Sequence, residues 1–509
     1  MEVLPIIEYS SYNIRLKEGY LMTHYDVLII GSGIVGSAIA FELSKYDLKV
    51  LVVEKENDVA LGTTKANSGI IHAGYDPKPG TLMARLNVEG NKLTRELAPV
   101  LNFHFKQVGS LVIGSTDEEH KVINDLYSRG VQNGVEGLKI LKTAGEVHAL
   151  EPRLNPEIDY ALLAPTAGIV APWELALAFS YTAVTNGVRF VFDAPVSAID
   201  KTERGYLVTT AQGSYEADYV INAAGLHSDD IYKLALKDKA EQSFTIVPCK
   251  GEYYLLDKDQ GSLVRHVIFQ TPTALGKGVL VSQTVHGNLI VGPNAMYDGA
   301  SKDDTSTLSE GLDQVRTASA RTISSISFGS NIRNFSGVRA TLKGQDDFLI
   351  AESPILPHFI NFAGIKSPGV SCGPAFGKEA VRILANAGLN LAKKNYFTMV
   401  PLPTYFKEMS MEDKKKAIQA DSRYGQVICR CETVTEAEIL AAIHAPIPAH
   451  TIDGVKRRTN AGMGRCQGGF CGPKIFHLLM DSLHLKYNEV YQDKTGSQIV
   501  VSETKKEAK

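Results

Sequence analysis

The chain has 509 residues, too many for one compact core, so roughly two to four domains are expected. With 44% hydrophobic and 21% charged residues it reads as globular rather than disordered. Lys plus Arg number 53 against 56 Asp plus Glu, a formal net charge of −3, and no concentrated basic field marks a nucleic-acid binder.

The first residues (MEVLPIIEYSSYNIRLKEGYLMTHY) lack both a basic start and a continuous apolar stretch, so 1–24 is read as an N-terminal extension and not a secretory signal. No run approaches the ~18 apolar residues of a membrane span. A cytoplasmic location is expected, with peripheral docking on a membrane left open through a partner subunit.

YDVLII, closed by glycine, has the pattern of a buried parallel strand. GSGIVGSAIAFELSKY then starts a helix on small residues, and KVLVVEKE is a second strand ending in an acid: a βαβ unit. In its turn Gly31 suits the tight bend, Gly33 lets a pyrophosphate approach the backbone, and Gly36 allows close helix–strand packing. The helix start, with Ile34 and Val35, would hold phosphates by its N–H groups and dipole. Glu54, 23 positions after Gly31, is placed to accept hydrogen bonds from a ribose. The motif alone does not separate NAD from FAD, and the bland alternative is a structural turn.

Residues from about 101 to 165 alternate strand-like and charged, helix-prone pieces. A further apolar strand, DYVINAAG, precedes a β-rich stretch from about 249 to 338. HFINFAGIKSPGVSCGPAFGKEAVRILA then returns to strand, glycine turn and helix. Two domains therefore interleave. The polar stretch 401–425 reads as a linker, and the residues from about Gln492 as a solvated tail.

Cys429, Cys431, Cys466 and Cys471 form C-x-C-x34-C-x4-C. Four thiolates are what a [2Fe–2S] cluster requires, and the glycines in GMGRCQGGFCGP free backbone N–H groups to approach its sulfurs. Structural zinc is the main alternative, although zinc usually draws on C-x2–4-C pairs. Between the pairs, ETVTEAEILAAI opens with a Thr-x-x-Glu capping box and continues as an amphipathic helix. Cys249 and Cys372 have no partner at motif spacing and read as small buried hydrophobes.

Over roughly 25–401 the chain resembles the D-amino-acid-oxidase-like FAD oxidoreductases, through GSGIVGSAIA with Glu54, TTKANSGIIHAGY, VINAAG and GIKSPGVSCGPAFG. Within them it is most similar to anaerobic-type glycerol-3-phosphate dehydrogenases and L-2-hydroxyglutarate dehydrogenases. About 426–485 resembles the bacterioferritin-associated-ferredoxin-like [2Fe–2S] domain. The resemblance implies an α/β plus α+β chain, in which a Rossmann-like FAD-binding domain interleaves with a β-rich substrate domain and a small helical [2Fe–2S] domain follows. The FAD-binding pieces are then about 25–100, 165–248 and 335–400, and the substrate-domain pieces about 101–164 and 249–334. A linker 401–425 and a tail 486–509 flank the cluster domain.

The same resemblance places Thr63, Ser68, Gly69, His72, Ala224, Gly225, Gly364, Lys366 and Gly369 beside FAD, with the glycine-turn residues above. It gives His72 a role in positioning the substrate alcohol or taking its proton, against simple packing beside the cofactor. Arg339 would hold an anionic substrate group, against a structural ion pair. Lys366 would stabilise a developing alkoxide or the reduced flavin anion. Strand alternation lets at most one of Tyr253 and Tyr254 face substrate, and Tyr254 is the one taken as catalytic, against the reading that both are structural. Arg321 and Arg333 could add to an arginine-lined site or form a solvated basic face.

Together these readings imply an FAD- and [2Fe–2S]-dependent dehydrogenase for a small anionic hydroxy substrate. Glycerol 3-phosphate is placed first, L-2-hydroxyglutarate second and an amine or amino acid third. Electrons would leave through the cluster to an acceptor protein or quinone-linked subunit. An electron-transfer subunit of a larger complex is the reading from another class.

Overall fold

The computed structural model describes residues 24–272, 278–297 and 299–504; all of the N-terminal extension but its last residue lies outside them. The YDVLII run forms β1 (His24–Ile30), the glycine turn leads into α1 (Ile34–Leu43), and KVLVV forms β2 (Val50–Val53). β1 and β2 pair in parallel, and their Val27, Leu28, Ile29 and Leu51 are fully buried. Burial on both sheet faces is why these strands are continuously apolar rather than alternating. Helix α1 is buried nearly all round for the same reason, lying between the sheet and the helices Pro172–Thr185 and Gly369–Asn386.

The first sheet has eight strands. β1 lies between β2 and the long strand Gly213–Asn222, both parallel to it. Gly213–Asn222 also pairs antiparallel with Tyr206–Thr210 and parallel with Phe359–Ala363. The second sheet, also eight-stranded, runs in the order Asn331–Leu342, Ile246–Leu256, Leu289–Gly292, Leu280–Gln283, Val267–Gln270, Ser110–Gly114, Tyr160–Ala164, Lys139–Leu141. Its strands come from two separated stretches of chain, so the polypeptide leaves the first sheet twice and returns twice. That interleaving brings the C-terminal ends of β1, β2 and Gly213–Asn222 and several strands of the second sheet around one cavity.

The C-terminal part has its own core, built from a two-stranded hairpin (Val427–Cys429, Val434–Thr435) and the helices Glu436–Ile443, Ile452–Thr459 and Gly472–Leu483. Thr435 and Glu438 form the capping box at the first of these helices.

The stretch 401–425 is more ordered than a polar linker. It contains the helix Met411–Ala420, and Tyr405 and Phe406 are buried. Tyr405 Oη donates to Glu174 at 2.9 Å and the Phe406 N–H to Glu438 at 2.8 Å, so the stretch is fastened to both neighbours. The tail also departs from the solvated reading, because Asp493 is ion-paired with Lys65 and Arg457. Among the described residues no helix is long and apolar enough to cross a membrane.

Candidate functional site

A cavity of about 2090 Å³ runs from the glycine turn, between the two sheets, to the C-terminal module. Its walls include Gly31, Gly33, Ile34, Val35 and Glu54 at one end and His72, Arg339 and Lys366 towards the other. Thr63, Ser68, Gly69, Ala224, Gly225 and Gly369 also line it, so most of the residues expected beside FAD meet here.

At the turn Gly31 adopts φ +102°, and a Cβ there would lie 2.6 Å from the Ala223 carbonyl oxygen. Only glycine lets the first loop lie flat enough for a dinucleotide to pass over it. Gly36 stands off the cavity wall, where a Cβ would collide with the Gly31 carbonyl of the turn and meet Ile29 of β1 at 3.4 Å, so its lack of a side chain lets the helix pack close to turn and strand. The Ile34 N–H is already committed to Thr64 Oγ1 at 3.0 Å. Glu54 accepts from the Ser32 N–H at 2.7 Å, Ser32 Oγ at 3.0 Å and the Glu56 N–H at 3.0 Å. Burial nevertheless pushes its carboxyl up, leaving an acid at the wall that a pair of ribose hydroxyls would suit. These features fit FAD.

The loop carrying His72 is rigidly held. Asn87 and Asn91 donate to its carbonyl, its N–H donates to Ser371 Oγ at 2.8 Å, and its ring stacks on Phe269 with centroids 5.4 Å apart. Nε2 lies 3.4 Å from Ser367 Oγ. Ser367 and Ser371 flank the start of the helix after the glycine turn, so this turn and the His72 loop are one unit. Lys366 faces the cavity with its ammonium 2.8 Å from Asp346. Gly364 lies off the wall against Leu342.

Arg339 sits in register with Cys249 on neighbouring strands of the second sheet. Its guanidinium lies 3.2 Å from Cys249 Sγ and donates to the Asn294 carbonyl at 3.3 Å, with no carboxylate among these partners. Cys249 is thus buried as expected but touches the cation and lines the cavity. Alternation from Cys249 brings Tyr253 to the same face, where its hydroxyl is 3.4 Å from Ser68 Oγ. Tyr254 is the correction: it points to the opposite face and packs edge-on against Phe328. Arg321 and Arg333 are exposed at the rim, where Arg321 pairs with Glu119 and Arg333 contacts Gln467.

The C-terminal module supplies walls that its sequence did not advertise. Asn460, Met463 and Gln467 line the cavity, and Gln467 follows Cys466 directly. The four cysteines are free thiols, and Cys431 Sγ lies 3.7 Å from Cys466 Sγ. Cys429 and Cys471 form the second hydrogen-bonded pair, which, with the Gly462 and Glu432 amides, draws the Cys429 thiol down to about 6. One tetrahedral zinc would require every sulfur pair to be about 3.8 Å apart, from Zn–S bonds of about 2.3 Å. Among the described residues no three of these sulfurs lie within 4.8 Å of one another. Two pairs of two fit a [2Fe–2S] cluster, with one pair on each iron.

The modules are joined by buried charge. Asp58, after β2, accepts from Arg457 and Arg458 at 2.8 Å. Burial would raise its carboxyl, but the two guanidinium groups hold it well below the usual carboxylate range. A second joint has Glu174 at its centre. His104 Nδ1 is 2.6 Å from Glu174 and Nε2 is 2.9 Å from Glu408. Burial lowers the His104 imidazolium, yet the two carboxylates outweigh that and lift it to about 9.

Comparison with known proteins agrees with this construction. Residues 26–383 match the family model of FAD dependent oxidoreductases (DAO), and 427–481 that of the BFD-like [2Fe-2S] binding domain. The chain is 45% identical over 485 residues to a glycerol 3-phosphate dehydrogenase from Caloramator mitchellensis, covering 95% of this chain and 99% of that protein. It is 30% identical over 277 residues to the L-2-hydroxyglutarate dehydrogenase of Escherichia coli K12, covering 53% and 64%. The FAD-bound, dithionite-reduced L-α-glycerophosphate oxidase of Mycoplasma pneumoniae superposes with a TM-score of 0.71 at 33% identity, covering 75% of this chain and all of that one. The chain therefore belongs to the FAD-dependent oxidoreductase family, as an enzyme whose cofactors are FAD and a [2Fe–2S] cluster held by a C-terminal BFD-like domain.

Proposed function

We propose that this enzyme oxidises sn-glycerol 3-phosphate to dihydroxyacetone phosphate and passes the electrons through its [2Fe–2S] cluster to a separate acceptor. The observation that carries the substrate is the 45% identity to the Caloramator enzyme, because the match spans both the FAD part and the cluster domain. The L-2-hydroxyglutarate dehydrogenase match covers only 53% of the chain.

FAD supplies a two-electron acceptor that can give electrons up singly. Glu54 would hold its ribose, and the turn at Gly31 and Gly33 would leave room for its pyrophosphate at the start of α1. Arg339 binds the substrate's anionic group, since its half-buried guanidinium faces the cavity and its hydrogen-bond partners are a thiol and a carbonyl rather than a carboxylate. His72 accepts the hydroxyl proton at Nε2, its ring orientation fixed by Phe269. Lys366 offsets negative charge developing on the oxygen. Gln467, which follows Cys466 directly, and Met463, three residues before it, line the cavity and favour a short route to the cluster. Outward transfer then falls to a partner protein or quinone-linked subunit on the cytoplasmic side.

An anaerobic substrate screen tests this. sn-Glycerol 3-phosphate is expected to bleach the flavin of the isolated protein and then generate the electron-spin signal of a reduced [2Fe–2S] cluster. Bleaching by L-2-hydroxyglutarate alone would replace the substrate. Bleaching only after a partner is added would make the chain an electron-transfer subunit. Bleaching with no cluster signal would remove the proposed electron route.

A further inference from the structure

The segment after the last helix of the cluster module crosses back to the nucleotide end of the cavity. Val490 anchors it, fully buried in the module's own core. The carbonyls of Tyr491 and Gln492 accept from the Ile452 and Asp453 N–H groups at 3.2 and 2.8 Å. Beyond that point it reaches the FAD part, while Asp493 keeps one partner, Arg457, in the cluster module. Asn57 Nδ2 donates to the Asp493 carbonyl at 2.7 Å, and Lys65 Nζ lies 2.6 Å from the Asp493 carboxylate. Lys494 Nζ is 2.8 Å from Glu56 and Thr495 Oγ1 donates to Asp193 at 3.2 Å. The segment is folded on itself, the Gln492 N–H reaching the Ser497 carbonyl at 2.8 Å and the Asp493 N–H reaching Ser497 Oγ at 3.0 Å.

Asp493, Lys494 and Ser497 line the same cavity as Glu54, Glu56 and Lys65. Asp493 also joins two cations of that wall: it pairs with Lys65 from the FAD part and with Arg457 from the cluster module. Without it, both would face each other across a desolvated gap, since burial already lowers the Lys65 ammonium.

We propose that the loop 492–497 is part of the FAD site: it closes the cavity over the ADP half of the cofactor and slows its release. This rests on the placement of that half at Glu54. The loop belongs to the cluster module by its anchor and to the flavin site by its contacts, so FAD retention is assigned to a segment lying beyond both matched families, which end at 383 and 481. A closing loop acts chiefly on the off-rate, because each of its ion pairs must break before the cofactor leaves.

The test compares FAD release and ADP affinity in the intact protein, a chain ending at Tyr491, Asp493→Ala, Lys494→Ala and Glu54→Gln. Iron per chain is measured alongside, so that no activity is needed. Shortening the chain and Asp493→Ala are expected to speed FAD release at least tenfold and to weaken ADP binding to the apoprotein, with iron content unchanged. Lys494→Ala shifts both in the same direction, and this point variant carries the test if the shortened chain does not fold. Unchanged FAD release in the point variants overturns the proposal, as does faster release with ADP affinity unaltered. If Glu54→Gln weakens ADP and the loop variants do not, the loop alone fails. If Glu54→Gln has no effect, the placement of the ADP half fails, and the loop assignment with it.

Discussion

The two redox sites are built on opposite plans. The four cysteines proposed to hold the cluster lie in two short segments of one small module, one at its hairpin, whose first strand ends at Cys429, and one leading into its last helix. The flavin cavity takes walls from residues as far apart as Gly31 and Ser497, on two sheets and the C-terminal module. A site of the first kind depends on spacing, and one substitution should empty it. A site of the second kind depends on how elements pack, and single substitutions should change affinity or docking by degrees.

The largest effect expected is therefore local. Cys466→Ser should reduce iron from about two per chain to nearly none and abolish the cluster's visible absorbance. FAD should stay bound, because none of Cys429, Cys431, Cys466 and Cys471 lines the cavity. One zinc per chain in the unaltered protein would break the comparison at its root.

Asp58→Ala comes next, at the joint between the plans. It leaves the Arg458 guanidinium, 3% exposed, without its carboxylate. Breaking a buried pair in this way costs about 3–5 kcal/mol. Denaturant unfolding followed by flavin fluorescence should show that loss, with the iron content of the folded protein unaltered. Arg339→Leu should act only on the substrate, raising KM by roughly a hundredfold, as expected for a lost charged hydrogen-bond partner worth about 2–3 kcal/mol. Its flavin spectrum should not shift. A KM within threefold of the original would remove Arg339 from the binding site.

What could be read in advance follows the same division. β1, α1, β2 and the acid at Glu54 are legible because their signals are local: an apolar run, a glycine turn, an acid at a strand end. The cysteine spacing is legible for the same reason. Tyr253 and Tyr254 mark the boundary. Alternation says that they face opposite ways, but which one meets the cavity is decided by pairing of Cys249 with Arg339, 90 residues on. The contacts of 401–425 and of Asp493 were hidden altogether. Polar side chains that pair across hundreds of residues, such as Asp493 with Lys65, have the composition of solvated ones.

The smallest effect should be a gradual one at the second joint, and its sign is fixed by His104. Folding raises this group from the ordinary histidine value to about 9. Its stabilisation is then fully present below about pH 6.5 and is lost as pH rises through 9. Glu174 and Glu408 are held below their usual values and Tyr405 well above its own, so none of these neighbours titrates in that window. The full shift would be worth at most about 3 kcal/mol, and less because the Glu408 side chain is 43% exposed. Melting temperature should fall between pH 7 and 10, and Glu408→Gln should flatten the decline by removing one of the two carboxylates that hold the proton. A decline of equal steepness in Glu408→Gln would mean that another group carries the pH dependence. A joint that weakens smoothly with pH while the cluster keeps its iron is what separates a site made by packing from one made by spacing.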